Sequence, residues 1–217
     1  MSIDSIHKAP IFEAFSIKCG CPICRIYDRY EKNAINTLML EGVMDYGIRT
    51  LTNEQGFCDK HLEQICFGKD SLSSALMFYT YLEKHLGNVK GAKGASGLKK
   101  AYQGIVDGCY ICKTVDKLMA ECEQFVSQLY REQEFKALFK QQEFFCAKHT
   151  LALLESAKLP KKLLDEYLAD IKNINLKYGK KTMDKLESYS TSFDYRNASK
   201  SVADTKDCNQ DVFKYVK

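Results

Sequence analysis

Eight metal-type residues recur along this chain with one fixed offset. Cys21 and Cys24 form C-P-I-C, and after 33 intervening residues Cys58 and His61 follow in G-F-C-D-K-H. Cys109 and Cys112 form C-Y-I-C, and after 33 intervening residues Cys146 and His149 follow in F-F-C-A-K-H. Adding 88 to each position of the first set gives the second. Neighbours repeat with them: Ile23 with Ile111, Phe57 with Phe145 and Lys60 with Lys148, then Leu76 with Leu164 and Tyr79 with Tyr167. The pattern is that of an internal duplication.

Each copy offers three cysteines and one histidine. Thiolate sulfur and imidazole nitrogen in a set of four suit a closed tetrahedral zinc site. A Cys-x-x-Cys knuckle brings two sulfurs to one ion. Cys-x-x-His at a helix start puts both side chains on one face, because positions i and i+3 are neighbours. The expectation is two zinc ions per chain, one per copy, held by Cys21, Cys24, Cys58 and His61 and by Cys109, Cys112, Cys146 and His149. Iron, or an iron–sulfur cluster with one histidine ligand, is an alternative for the same soft ligands. A dithiol redox pair at Cys21 and Cys24 is another, but no strand–helix–strand pattern surrounds it and it leaves the paired Cys-x-x-His unexplained. Three thiolates give each zinc site a charge of about −1, which moves the formal chain charge from +4 to about +2.

Ten cysteines in 217 residues would form a disulfide scaffold only in an oxidising compartment, and nothing in the sequence signals one. The opening MSIDSIHKAP lacks the apolar stretch of a signal peptide, and no run is long and apolar enough to span a membrane. A cytoplasmic location is expected. Residues 1–100 carry 13 Lys+Arg and 11 Asp+Glu, and residues 101–217 carry 19 and 17. Both halves are +2, so neither has a nucleic-acid signature. The expected partner is protein.

The remaining cysteines and histidines read as bystanders. Cys122 lies on a helical stripe with Val115, Met119 and Val126, and Cys66 follows Leu62 and Ile65, so both are expected in the core. Cys208 lies in a polar tail. Cys19 has Asp107 as its counterpart and could respond to oxidation. His7 and His85 have no ligand-spaced partner.

The apolar spacing is helical throughout, and no sustained period-2 alternation is present, so an all-α fold is expected. Helices are expected over 22–41, 71–89 and 112–131, and after Pro160. Shorter ones are expected after Cys58 and Cys146, with Gly42 and Gly47 interrupting the first 33-residue gap. Duplicated helical units, each tied by a metal site, would pack as one bundle with an approximate two-fold relation. The expected organisation is a first repeat over 1–90, a Gly/Lys-rich linker over 91–106, a second repeat over 107–190 and a polar tail over 191–217. The stretch KGAKGASGLKK is expected to be a flexible hinge, since it lacks the G-x-x-x-x-G-K-[ST] phosphate-loop pattern.

Most enzyme signatures are missing, while a nucleophile–base pair formed in space leaves no mark in a sequence. There is no Glu-x-x-His pair and no His-Glu-x-x-His. His61-Leu62-Glu63 has the His-x-Glu element of zinc deaminases, but here the cysteine pair precedes it and the proline lies inside that pair.

The motifs C-P-I-C, G-F-C-D-K-H, C-Y-I-C, F-F-C-A-K-H and the later F-D-Y-R-N together resemble an uncharacterised family of bacterial proteins, mostly from Firmicutes and other anaerobes. Its members carry paired Cys-Pro-x-Cys and Phe-Cys-x-x-His motifs followed by Asp-Tyr-Arg. The resemblance covers about residues 10–200 and implies a domain of unknown function. The second knuckle departs from it, with Tyr110 where the first has Pro22. Two functions are consistent with this sequence: a zinc-stabilised interaction or adaptor module, and a thiol-based redox or metal sensor. An iron-containing redox protein is a third.

Overall fold

A computed structural model describes residues 3–193 and 205–217, with side chains from residue 8 onward. The described residues are helical, with no strands. In order they form α1 (Ile3–Ser16), α2 (Pro22–Thr37) with a π-helical turn at Leu38–Gly42, α3 (Tyr46–Gln55), α4 (Asp59–Cys66), α5 (Ser71–Gly91) and α6 (Gly94–Val106), then α7 (Tyr110–Leu129), α8 (Gln133–Lys140), α9 (Ala147–Ser156), α10 (Lys161–Thr191) and α11 (Cys208–Val216). The all-α expectation is met. Asp194, Tyr195 and Arg196 of the F-D-Y-R-N motif lie outside the described residues, as does the side chain of His7.

The chain divides into two compact units, residues 27–118 and residues 1–26 with 119–217. The division falls inside α2 and α7.

The unit of 1–26 and 119–217 is built on aromatic packing. Phe15 of α1, Phe135 and Phe139 of α8, Phe145, and Tyr130 and Tyr167 are all fully buried. Phe139 lies 4.9 Å from Phe145, 5.2 Å from Tyr130 and 5.2 Å from Tyr167 between ring centroids. Such contacts contribute beyond the area they bury. The Tyr130 hydroxyl donates to Asp170. α11 closes one side: Tyr215 packs on Phe144 and Tyr178, and Asp211 accepts from Lys185 Nζ at 2.6 Å. Cys208, at the start of α11, is fully buried rather than lying in a loose tail.

In the unit of 27–118, Phe57, Ile65, Met77, Tyr81, Ile111 and Val115 form the core. Arg49 of α3 ties the π-turn to α5, donating to the carbonyls of Val43 and Leu76 and to Thr80 Oγ1.

Three expectations need correction. The Gly/Lys stretch is ordered helix: α5 runs through Gly91, and Gly94, at φ +65°, opens α6. Ala, Leu and Lys around that glycine are good helix formers, and only the turn needs the left-handed conformation. Cys66 is exposed, because α4 turns His61 and Ile65 inward. The offset of 88 also fails beyond the short helices. α4 has eight residues and α9 has ten, so α5 and α10 begin 90 residues apart. Met77 and Tyr81 on α5 therefore correspond to Tyr167 and Ile171 on α10, all four buried. Tyr79, expected to match Tyr167, is instead 70% exposed.

Candidate metal centre

Cys58 and Cys146 occupy the N-cap positions of α4 and α9. Their carbonyls accept from Leu62 and Thr150, each at 2.8 Å. His61 and His149 stand three residues on, on the same helix face. The free N–H groups and dipole of a helix start favour a thiolate at this position. The knuckles sit at the other kind of helix start: Cys21 and Cys109 immediately precede α2 and α7, and Cys24 and Cys112 lie in their first turns.

The eight residues assemble into two groups of four, Cys21, Cys24, Cys146 and His149, and Cys58, His61, Cys109 and Cys112. In each group the ligating atoms all lie within 4.8 Å of one another. The expected pairing within one copy is thus corrected. Each knuckle meets the Cys-x-x-His of the other copy.

Backbone contacts explain the crossing. Gly20 N–H donates to Glu143 Oε2 at 2.7 Å, which sets the first knuckle against the segment leading into α9. In the other unit Gly108 lies so close to α3 that a Cβ there would sit 1.9 Å from the Gln55 carbonyl oxygen. Tyr110 N–H donates to the Gly56 carbonyl at 2.9 Å. Proline, which opens α2 at Pro22, has no N–H for that bond. Tyr110 in place of proline therefore serves the second knuckle. Arg25 fixes the turn before the first knuckle, donating to the carbonyls of Ala14, Ile17 and Cys19.

The spacings fit one ion per group. A tetrahedron with sulfurs about 2.3 Å and nitrogen about 2.05 Å from its centre has edges of about 3.8 Å between sulfurs and about 3.5 Å from sulfur to nitrogen. Cys24 and Cys146 Sγ are 3.7 Å apart, and Cys58 and Cys112 Sγ are 3.8 Å apart. His149 Nδ1 is 3.7, 3.3 and 3.2 Å from the sulfurs of Cys21, Cys24 and Cys146. His61 Nδ1 is 3.2, 3.2 and 3.4 Å from those of Cys58, Cys109 and Cys112. All eight cysteine sulfurs and imidazoles could thus act as ligands to two ions. The Cys112 N–H also points at Cys109 Sγ, 3.4 Å away.

The electrostatics of the groups are those of shared protons. Hydrogen bonds from Cys21 and Cys24, with help from His149, hold the Cys146 thiol far below the ordinary thiol range. Cys24 is pushed far up, first because Cys146 and Cys21 engage its hydrogen. Burial lowers the His149 imidazole, but the Cys146 and Cys21 sulfurs outweigh it and push it up to about 9. In the other group burial, then Cys109, pushes Cys112 up to about 12. Burial works against a Cys58 thiolate, but the His61 backbone N–H and the neighbouring sulfurs win and lower it.

One residue beside the second cluster escaped the sequence reading. Glu31 of α2 is buried and accepts from His61 Nε2 at 3.0 Å and from Lys60 Nζ at 2.6 Å. With an ion on Nδ1, Nε2 would carry the proton, and the carboxylate behind it would fix the ring and strengthen the ligand. Burial opposes its charge, yet Lys60 and His61 hold the carboxyl below its usual range. The residue 88 positions on is Met119. No motif marks Glu31. Only its place two turns after the knuckle, opposite a lysine that the duplication repeats, hinted at it.

A family model described as a family of unknown function (DUF6062) matches residues 1–217. The chain belongs to that family. No curated protein and no solved structure matches it at a significant level. For this DUF6062 member, then, the paired Cys3His clusters carry the functional argument. Cys122 stands apart from both clusters and is fully buried, as expected. No helix among the described residues is long and apolar enough to cross a membrane.

Proposed function

We propose that both clusters hold Zn²⁺ as structural ions and that the chain is a zinc-stabilised helical interaction module working in a reducing compartment such as the cytoplasm. The observation that carries this reading is the fit of both clusters to the edges of a zinc–thiolate tetrahedron. Four protein ligands complete the coordination shell, which leaves no position for a substrate. The knuckles and helix caps hold the ligands in place, as a structural site requires. Ten free cysteines suit a reducing compartment. Metal content by mass spectrometry on anaerobically purified protein, read with an absorption spectrum, tests the reading. Two zinc ions per chain and no visible absorption are expected. Iron with visible bands would refute it and make electron transfer the leading function.

A thiol-based sensor is the second reading. Cys24, Cys58 and Cys112 are only half-buried, and exposed Cys19 stands two residues before the first cluster. Thiolate oxidation would release the ion. Reversible zinc release by peroxide, with the fold retained and partner binding changed, supports the sensor. Release only on unfolding supports the structural role.

A further inference from the structure

α5 turns its more apolar face outward. Toward its own unit it presents Ser74, Met77, Tyr81 and His85. Toward solvent it presents Leu72, Ala75, Tyr79, Leu82 and Leu86, with Val89 half-buried at the end. Leu72 is 69% exposed and Leu86 65%. These six positions alternate at threes and fours from 72 to 89, the a/d spacing of a helix that pairs with another helix along a seam.

The other repeat supplies the contrast. In the register set by the starts of α5 and α10, the outward positions on α10 that match Leu72, Ala75, Tyr79 and Leu82 are Lys162, Asp165, Ala169 and Lys172, all exposed. Leu86 matches Leu176, exposed on α10 as well, so the two outer faces differ over 72–82, where one repeat is solvated and the other apolar. The difference is therefore confined to the surface, since the inward positions of both helices stay buried.

We infer that the outward face of α5 pairs with the same face of a second copy of this chain, two α5 helices lying antiparallel across a two-fold axis. The spacing closes on itself in that arrangement. With the axis between residues 80 and 81, Tyr79 faces the second copy's Leu82, Ala75 its Leu86 and Leu72 its Val89. Each a position thus meets a d position, and a small residue meets a large one where needed. No charged residue lies on the stripe, so pairing like with like brings no repulsion into the seam. Glu83 and Lys90 flank it. At about 200 Å² for a fully exposed large apolar side chain, Leu72, Tyr79, Leu82 and Leu86 of the stripe expose on the order of 500 Å² per chain. A pair would cover roughly 1,000 Å², which reaches the threshold for a specific interface, whereas the patch on one chain is at the upper end of what a monomer exposes. The inference gives the interaction reading its partner and rests on it.

Sedimentation velocity with light scattering on the full metal-loaded chain tests the pairing, with bound metal counted in the same samples. A particle of twice 24.8 kDa is expected. Leu82→Glu, which places two carboxylates near the axis, is expected to give a monomer with unchanged helicity and metal content. Leu72→Lys, at the seam's end, is expected to weaken association about tenfold to a hundredfold rather than abolish it. Lys172→Glu, on the corresponding face of α10, is expected to leave the dimer intact. A wild-type monomer at about 100 µM overturns the inference. A dimer unaffected by both Leu82→Glu and Leu72→Lys also overturns it, as does a monomer whose α5 face binds a different protein. A monomer that keeps two metals leaves the metal reading standing, and a metal-free chain refutes that reading separately.

Discussion

Replacing Glu31 by Gln should weaken one metal site and leave the other untouched. The side chain keeps its shape and can still accept from His61 Nε2, now 3.0 Å from Oε1, but its charge is gone and Lys60 at 2.6 Å loses its ion pair. Removing a carboxylate behind a metal-bound imidazole typically costs ten- to a hundredfold in affinity, about 1.4 to 2.7 kcal/mol. Only the cluster of Cys58, His61, Cys109 and Cys112 should feel it. The repeat counterpart of Glu31 is Met119, so the His149 cluster has no such carboxylate at that position. The assay is competition with a chromophoric chelator, which resolves the two ions when their affinities differ. In the wild type the His61 cluster should release its ion second. In Glu31→Gln its release should move toward that of the His149 cluster, whose step should stay fixed. If both steps keep their wild-type midpoints, or both shift together, the carboxylate is not supporting one ligand and the reasoning fails.

The crossed pairing makes a sharper forecast than single substitutions. Cys24→Ser with Cys146→Ser should lose one metal per chain, whereas Cys24→Ser with Cys58→Ser should lose both; metal counts in the opposite order would restore pairing within each copy. Gly108→Ala should deplete the second cluster, because its Cβ would sit 1.9 Å from the Gln55 oxygen, while Gly104→Ala, facing open space, should keep two metals; equal metal content would remove the role assigned to that close approach. Burial opposes the Asp211 charge, but Lys185, joined by Lys214, holds its carboxyl below the usual range. Its stabilisation is therefore present above the ordinary carboxylate value near 4 and is lost as pH falls through the lowered one. Asp211→Asn should remove about 1 kcal/mol from the seating of α11 and speed alkylation of buried Cys208 about fivefold at neutral pH; an unchanged rate would show that the pair does not hold the helix. Phe139→Ala should cost about 3 to 5 kcal/mol in denaturant unfolding, since the ring is fully buried among other rings; a loss under 1 kcal/mol would refute the aromatic core described for that unit.

The ligands were legible because their chemistry is unusual and their spacing repeats. Their pairing was not. Four half-sites of two chemical kinds can be joined within copies or across them, and both choices complete two Cys3His sets. What decides is the fit of Gly20 against Glu143 and Gly108 against Gln55, which no spacing reveals. Periodicity found the helix over 71–89 but not its orientation. The stripe of Leu72, Tyr79, Leu82 and Leu86 looks like a core face, and it is the face that α5 leaves open. Hydrophobic spacing shows that a helix face wants cover without saying whose. Glu31 hid for a related reason: one acidic residue on an amphipathic helix resembles any solvated one until its histidine is seen.

Crossing changes what an ion in each cluster would do for the fold. Paired within a copy, an ion joining Cys24 to Cys58 would close 33 intervening residues. In the structure the first cluster joins residues 122 apart in sequence, Cys24 and Cys146. Closing the longer loop costs only about 1 kcal/mol more, since the cost grows with the logarithm of length. An apparent binding energy of about 10 to 16 kcal/mol for a structural zinc site exceeds that many times over. Chain entropy therefore does not select the pairing, and the packing around the knuckles does. The consequence is that an ion in the first cluster would fasten the start of the chain, α1 and the opening of α2, to the helices that begin at α7. Phe15 of α1 then packs on Phe135 and Phe139 of α8 in the same unit. Loss of that ion should loosen a contact between segments more than a hundred residues apart, where within-copy pairing would have loosened only a local one.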